Sequence, residues 1–156
     1  MLDCDDTLEG DELTMYTLKG ACHCGNIKLE FNTPTSPEAL WLRKCSCLFC
    51  HKQGNINVAD PAGFLTIKIE NKENTFFYQM GHKTSDRLFC GNCGVYIGGL
   101  MTRDGKSVCV LNANTLDTDI DFSAPTEIDV LAQTSEERIL GRMSRWMPFE
   151  IVYGSG

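Results

Sequence analysis

The sequence predicts a mainly β fold that is built from hairpins and has one short helix near its C-terminus. Residues 26–31 and 64–70 alternate strictly between apolar and polar side chains, and this period of two is typical of half-buried strands. Asp104-Gly105 lies between two apolar runs, which is a strong signal for a β-hairpin. Nine cysteines, most of them in short clusters, indicate that the fold also binds metal ions.

Eight segments are predicted to be strands. They cover residues 15–20, 26–31, 39–44, 64–70, 75–80, 95–100, 107–112 and 126–132. Turn-forming residues at 71–74 predict a hairpin between the fourth and fifth of these segments. The polar run at residues 51–55 is likewise interpreted as a turn. Thr134 and Glu137 have the spacing of a capping box, so we expect a helix that begins there and ends at Gly141.

Length and composition are those of an ordinary globular domain. The chain has 156 residues, of which 42% are hydrophobic and 22% are charged. Residues 1–13 carry six acidic side chains and little apolar periodicity, so we predict a mobile acidic arm followed by a single zinc-binding domain over residues 14–156. An acidic start is unlike a secretory or mitochondrial leader, which favours a cytoplasmic protein with reduced thiols.

Charge argues against two classes of partner. The formal net charge is −7 and the sequence contains no run of lysines and arginines, whereas phosphate backbones need a basic face. No apolar segment approaches the length of a membrane span. We therefore expect neither a nucleic-acid partner nor a membrane partner. The sequence says nothing about the oligomeric state.

Seven cysteines have metal-ligand spacing. They are Cys22 and Cys24, then Cys45, Cys47 and Cys50, and finally Cys90 and Cys93. Zinc prefers four soft ligands in a tetrahedron, and seven ligands do not divide into two closed sets of four. We therefore predict two zinc ions per chain. The two outer pairs bind a structural zinc, and the central three cysteines bind a zinc whose open position is typical of catalysis.

The other cysteines and the histidines have less certain roles. Cys4 lies in the acidic arm and Cys109 in a predicted strand, so neither is expected to bind metal. His51 directly follows Cys50, so it is either a fourth ligand that closes the central site or a catalytic residue. His82, in a polar turn remote from the cysteines, is the second catalytic candidate. Gln53 and Asn55 are interpreted either as hydrogen-bonding partners of the substrate or as part of a solvated turn.

Three motifs in this order resemble the glutathione-dependent formaldehyde-activating enzyme (GFA) family, which also includes centromere protein V. They are G-x-C-H-C-G from Gly20, C-x-C-x-x-C-x-x-x-G from Cys45 and F-C-x-x-C-G from Phe89. The resemblance spans roughly residues 18–117. It implies a β-rich, zinc-bearing fold like that of the Mss4 exchange-factor relatives, and the same partition of the seven cysteines. It also implies the joining of glutathione and formaldehyde to give S-hydroxymethylglutathione.

Two positions differ from the family pattern. Ser46 stands where the family often has histidine, and His51 stands where arginine commonly follows the central cysteines. From the cysteine spacing and this resemblance we predict a zinc-dependent carbon–sulfur lyase-type enzyme. It acts on adducts of glutathione, or another thiol, with formaldehyde or a small carbonyl compound. Two alternatives stay open: a GFA-like enzyme acting on a specialised metabolite, and a non-catalytic, zinc-stabilised binding module of Mss4-like fold.

Overall fold

The computed structural model describes residues 14–79, 85–117, 119–129 and 133–154. Within these ranges the chain forms eleven strands and two α-helices. The strands are β1 (Tyr16–Ala21), β2 (Ile27–Thr33), β3 (Arg43–Cys45), β4 (Asn57–Val58), β5 (Phe64–Ile69), β6 (Thr75–Gln79), β7 (Asp86–Cys90), β8 (Tyr96–Arg103), β9 (Lys106–Asn112), β10 (Thr126–Ile128) and β11 (Met147–Tyr153). The helices are α1 (Leu48–Gln53) and α2 (Ser135–Arg145). The predicted mainly β fold with a C-terminal helix is confirmed, and the predicted arm lies outside the described residues.

All eleven strands belong to one hydrogen-bonded sheet. Its main path runs β1-β2-β5-β11-β9-β4-β3-β10, and β8, β7 and β6 branch from β9 in that order. The last strand connects the two parts of the sheet. Met147 and Pro148 pair with β9, whereas residues 149–153 continue parallel to β5. The C-terminal segment is therefore an integral strand.

Alternating strands form the core on one side of this sheet. Ile27 pairs with Ile69 and Leu29 pairs with Ile67, and all four side chains are buried. Burial of each aliphatic side chain of this size contributes roughly 1.5–3 kcal/mol to the free energy of unfolding. The strands predicted from the alternation at residues 26–31 and 64–70 are thus confirmed.

The Asp104-Gly105 hairpin is also confirmed. Arg103 pairs with Lys106, and both turn residues have positive φ angles, 54° for Asp104 and 77° for Gly105, as a two-residue turn of the common hairpin type requires. Cys109 lies in β9 opposite Leu100 and is fully buried. It belongs to the hydrophobic core, as predicted.

The hairpin predicted between residues 64–70 and 75–80 is wrong. Both segments contain strands, but β5 pairs with β2 and β11, whereas β6 pairs with β7. Asn26 holds the connection between them. Its side-chain amide donates to the carbonyl oxygens of Asn71 and Asn74, and its Oδ1 accepts from the backbone N–H of Asn71. The connection therefore directs β6 toward another part of the sheet.

Candidate metal centres and the cavity beside them

The four outer cysteines come together as predicted from their spacing. The sulfur atoms of Cys22, Cys24, Cys90 and Cys93 all lie within 4.8 Å of one another. The Sγ of Cys24 is 3.7 Å from that of Cys22 and 3.6 Å from that of Cys90. A tetrahedron with zinc–sulfur bonds of about 2.3 Å has sulfur–sulfur edges of about 3.8 Å. The spacing of this four-cysteine cluster therefore fits a tetrahedral zinc.

Two turns present these sulfur atoms to one another. The first follows β1, where Gly25 has a φ of 87° and the backbone N–H of Ile27 donates to Cys22 Sγ at 3.3 Å. The second follows β7, where the N–H of Cys93 donates to Cys90 Sγ at 3.5 Å. Backbone N–H groups directed at sulfur stabilise the thiolate form that binds metal.

The thiols of Cys22 and Cys24 differ in how readily they lose a proton. Burial raises the pKa of Cys22 to about 11, whereas a hydrogen bond with Asn92 is the main cause that lowers the pKa of Cys24 to about 6. At neutral pH the protein groups by themselves therefore keep part of the cluster protonated. A bound metal ion favours deprotonation of all four sulfurs.

The central cysteines form a three-cysteine cluster at the junction of β3 and α1. Cys45 ends β3, Cys47 is the N-cap of α1 and Cys50 lies inside this helix. Their sulfur atoms lie within 4.8 Å of one another, and Cys47 Sγ accepts from the backbone N–H of Cys50 at 3.4 Å. Among the residues that the structure describes, no fourth cysteine, histidine or carboxylate joins them. The cluster therefore offers three ligands and an open side.

Asn55 supports this cluster directly. It is 3% exposed, and its Nδ2 lies 3.7 Å from Cys50 Sγ and 2.6 Å from Asn57 Oδ1. The interpretation of Asn55 as part of a solvated turn is wrong, because residues 48–53 form α1 and Gly54, with a φ of 72°, turns the chain back under it. A thiolate that accepts an N–H bond is held in place and stabilised as an anion.

His51 is adjacent to Cys50 in the chain but adds no ligand to the three-cysteine cluster. His51 is exposed on α1 and its ring does not join the three sulfurs, so the structure does not support the fourth-ligand alternative. It borders a groove of about 890 Å³ on the outer side of Cys45 and Cys50, which we name the outer groove. His82 lies outside the described residues. The catalytic roles of both histidines stay predictions.

A second space also borders this cluster. This cavity, of about 80 Å³, touches Cys45, Cys47 and Cys50 and is lined by five arginines. We name it the arginine cavity; the arginines are Arg43, Arg87, Arg138, Arg142 and Arg145. They belong to β3, β7 and α2, so the sequence shows no basic run. The only sequence signal is the spacing of the last three, which places them on one face of a helix.

Arg87 links the arginine cavity to the sulfur atoms. It is 5% exposed, its Nη1 donates to the hydroxyl of Tyr96 at 3.2 Å, and its guanidinium lies 5.4 Å from the ring centre of Phe49. Hydrogen bonds with Cys45 and Cys50 are the main cause that lowers the pKa of Cys47, and the charge of Arg87 contributes. The cavity therefore favours negative charge beside the open side of the cluster.

Comparison with known families decides the identity at family level. A sequence model described as glutathione-dependent formaldehyde-activating enzyme matches residues 17–131, which contain all seven clustered cysteines. The chain belongs to this family. The matched GFA region ends before α2, so Arg138, Arg142 and Arg145 lie beyond it.

Other comparisons are more distant. A crystal structure of a Rhodobacter sphaeroides protein is 25% identical in sequence, with a TM-score of 0.52, over 70% of this chain and 99% of that chain. No curated protein matches the chain. Neither described helix of this GFA-family chain is long and apolar enough to cross a membrane.

Proposed function

We propose that this chain is a zinc-dependent enzyme of carbon–sulfur chemistry. It makes or breaks the bond between the sulfur of glutathione, or another thiol, and the carbonyl carbon of formaldehyde or a small carbonyl compound. One observation carries the proposal. The three-cysteine cluster has no fourth protein ligand among the described residues, and two separate spaces border it. Two reactants can therefore reach the same cluster through different spaces.

The donor set supports zinc as the metal. Both clusters offer only sulfur, a soft ligand that suits zinc, and all described cysteines are free thiols. In this proposal the four-cysteine cluster holds a structural ion, and Cys45, Cys47 and Cys50 hold a second one. When bound by three thiolates, zinc supplies an open coordination position that favours the deprotonated form of a thiol or polarises a carbonyl.

Residues around the three-cysteine cluster can stabilise the negative charge that forms during the reaction. When a thiol adds to an aldehyde, a carbon–sulfur bond forms, the carbonyl π bond breaks, and the thiol proton ends on the former carbonyl oxygen. Arg87 and Arg43, both buried beside the cluster, stabilise negative charge on sulfur or on that oxygen. His51 borders the outer groove and is our candidate for holding the transferred proton there.

Exchange spectroscopy tests the proposal without a coupled assay. Glutathione and ¹³C-formaldehyde form an adduct spontaneously, and magnetisation exchange between free and adduct carbon measures the rate. We expect the zinc-loaded protein to accelerate this exchange, or that of another small aldehyde, and Cys47→Ala to lose the acceleration. Equal rates with and without protein for every thiol and aldehyde tried would favour the non-catalytic binding module instead.

A further inference from the structure

The arginine cavity concentrates positive charge within an acidic protein. Five arginines line it, and none of the other described residues that line it is acidic. Burial, and then the charges of Arg87 and Arg138, lowers the pKa of Arg142 to about 10. Arginine side chains stay protonated at neutral pH, so these cations repel one another in a partly desolvated site.

Three described carboxylates near these arginines have partners outside the arginine cavity. Asp60 borders a neighbouring cavity with Arg43 and Arg145, but its Oδ2 accepts the hydroxyls of Thr33 and Thr35 at 2.5 and 2.7 Å. On α2, the side chain of Glu137 caps the helix by accepting from the N–H of Thr134, and Glu136 lies 3.8 Å from Arg103. A zinc with three thiolates carries a net charge of roughly −1 and offsets only part of the positive charge.

Two of the arginines carry buried N–H groups without a partner. Arg43 is 4% exposed and Arg87 is 5% exposed. The Nε and Nη2 atoms of Arg43 and the Nε of Arg87 have no hydrogen-bond partner among the described residues. A buried donor without an acceptor is destabilising, so these N–H groups need an acceptor such as water or an anionic ligand group. Trp41 and Phe49 pack near the two guanidinium groups without accepting these N–H bonds.

Glycines make room for the guanidinium groups. A Cβ on Gly99 would lie 2.7 Å from Nη1 of Arg87 and 3.2 Å from Trp146. A Cβ on Gly141 would lie 2.5 Å from Nη2 of Arg145. Glycine inside a helix is unfavourable, yet α2 continues through Gly141 to Arg145. Gly141 thus lowers the stability of α2 at the position that the guanidinium of Arg145 packs against.

We propose that the arginine cavity binds a carboxylate or phosphate group of the carbonyl substrate, which stays on the thiol adduct, so that the preferred carbonyl substrate is an anion and not neutral formaldehyde. Guanidinium groups bind such oxyanions through paired N–H donors. The cavity of about 80 Å³ holds a small group of this kind, since one water needs roughly 10–15 Å³ in the same measure. The inference rests on the proposed function in taking the three-cysteine cluster as the reacting centre.

Direct binding tests the inference without any activity. The zinc-loaded full chain is titrated at low ionic strength with inorganic phosphate, acetate and neutral acetamide, and binding is followed by calorimetry and by the fluorescence of Trp146, which lines the cavity. We expect saturable binding of at least one anion and none of acetamide. Preference for phosphate indicates a phosphorylated substrate, and preference for acetate indicates a carboxylate.

Matched variants locate the binding. Arg142→Met should weaken anion binding roughly tenfold or more, as expected for loss of a charged hydrogen-bond donor. Arg103→Met removes a surface arginine that pairs with Glu136 and should leave binding unchanged. Gly141→Ala leaves all five arginines in place and raises the helix propensity of α2, so it should not lower the melting temperature. Its added methyl group should displace the guanidinium of Arg145 and so weaken anion binding.

The inference is overturned if neither anion binds saturably, if acetamide binds as well as acetate, or if Arg103→Met weakens binding as much as Arg142→Met. Its failure is distinguishable from failure of the proposed function. Anion binding without any thiol response at the three-cysteine cluster leaves the cavity assignment intact and removes the carbon–sulfur chemistry. A thiol response without anion binding leaves the carbon–sulfur chemistry intact and removes the cavity assignment.

Discussion

The sulfur atoms of Cys24 and Cys90 lie 3.6 Å apart, although 66 positions separate them in the chain. Cys24 belongs to the turn between β1 and β2, and Cys90 ends β7, which lies on the branch of the sheet that leaves β9. A metal ion held between these sulfurs therefore ties two distant parts of the sheet together. Its contribution to the free energy of unfolding is expected to be large.

Substitution of a ligand in the four-cysteine cluster should destabilise the whole fold. Cys93→Ser removes one of four thiolates, and structural zinc binding contributes on the order of 10 kcal/mol to such folds. We expect aggregation or a much lower melting temperature, measured by circular dichroism on heating. Cys4→Ser, at a position that the sequence predicts to lie outside both ligand sets, is the control. Full solubility and an unchanged melting temperature for Cys93→Ser would contradict a structural site.

The three-cysteine cluster should be separable from the fold. Cys47→Ala is expected to abolish thiol–carbonyl exchange while leaving a folded chain with about one zinc ion, because the four-cysteine cluster does not use this residue. Metal analysis and circular dichroism on the same sample check this. Loss of both ions, or collapse of the fold, would show that the two centres depend on each other.

Asn55 should control metal affinity at the three-cysteine cluster. Its amide approaches Cys50 Sγ at 3.7 Å, and loss of such a supporting hydrogen bond typically weakens metal binding by about 10–100-fold. Asn55→Ala should therefore release the second zinc to a competing chelator at lower chelator concentration than wild type. Gln53→Ala, at an exposed position on α1, should not. Identical release curves for the two variants would remove this role.

The stability that Asp60 contributes should depend on pH. Burial raises its pKa, but hydrogen bonds from Thr33 and Thr35 outweigh this and lower the pKa below the ordinary value. The folded pKa lies below the unfolded value of about 3.9, so the contribution is present above about pH 4 and is lost as pH falls through the folded pKa. Urea titrations should show Asp60→Asn less stable than wild type at pH 6. A difference that persists undiminished near pH 2 would contradict the assignment.

Local patterns were enough to predict much of the fold and the metal clusters. The alternation in β2 and β5, the turn at Asp104-Gly105 and the capping box at Thr134 each specify structure over a few residues, and all were confirmed. The seven sulfurs form two clusters, of four and three, as predicted from their spacing and number. Short knuckles bring the neighbouring ligands of each cluster together.

Features set by distant partners could not be predicted in this way. β11 was missed because its pairing with both β9 and β5 depends on strands far away in the chain. The helix was expected to end at Gly141, but α2 continues to Arg145, and its last turn carries Arg142 and Arg145 of the arginine cavity. The arginine cavity combines residues from β3, β7 and α2, so no single stretch of sequence reveals it.

The visible spectrum of the cobalt-substituted protein tests the central claim most directly. With cobalt at the three-cysteine cluster, added glutathione should shift the spectrum toward four-sulfur coordination, because three thiolates leave one position for a thiol. The shift should be absent in Cys50→Ala and present in variants changed only at Cys4 or Cys109. If wild-type protein with cobalt at this cluster shows no spectral response to any small thiol, the thiol-activation mechanism is contradicted, and the non-catalytic binding module becomes the better account.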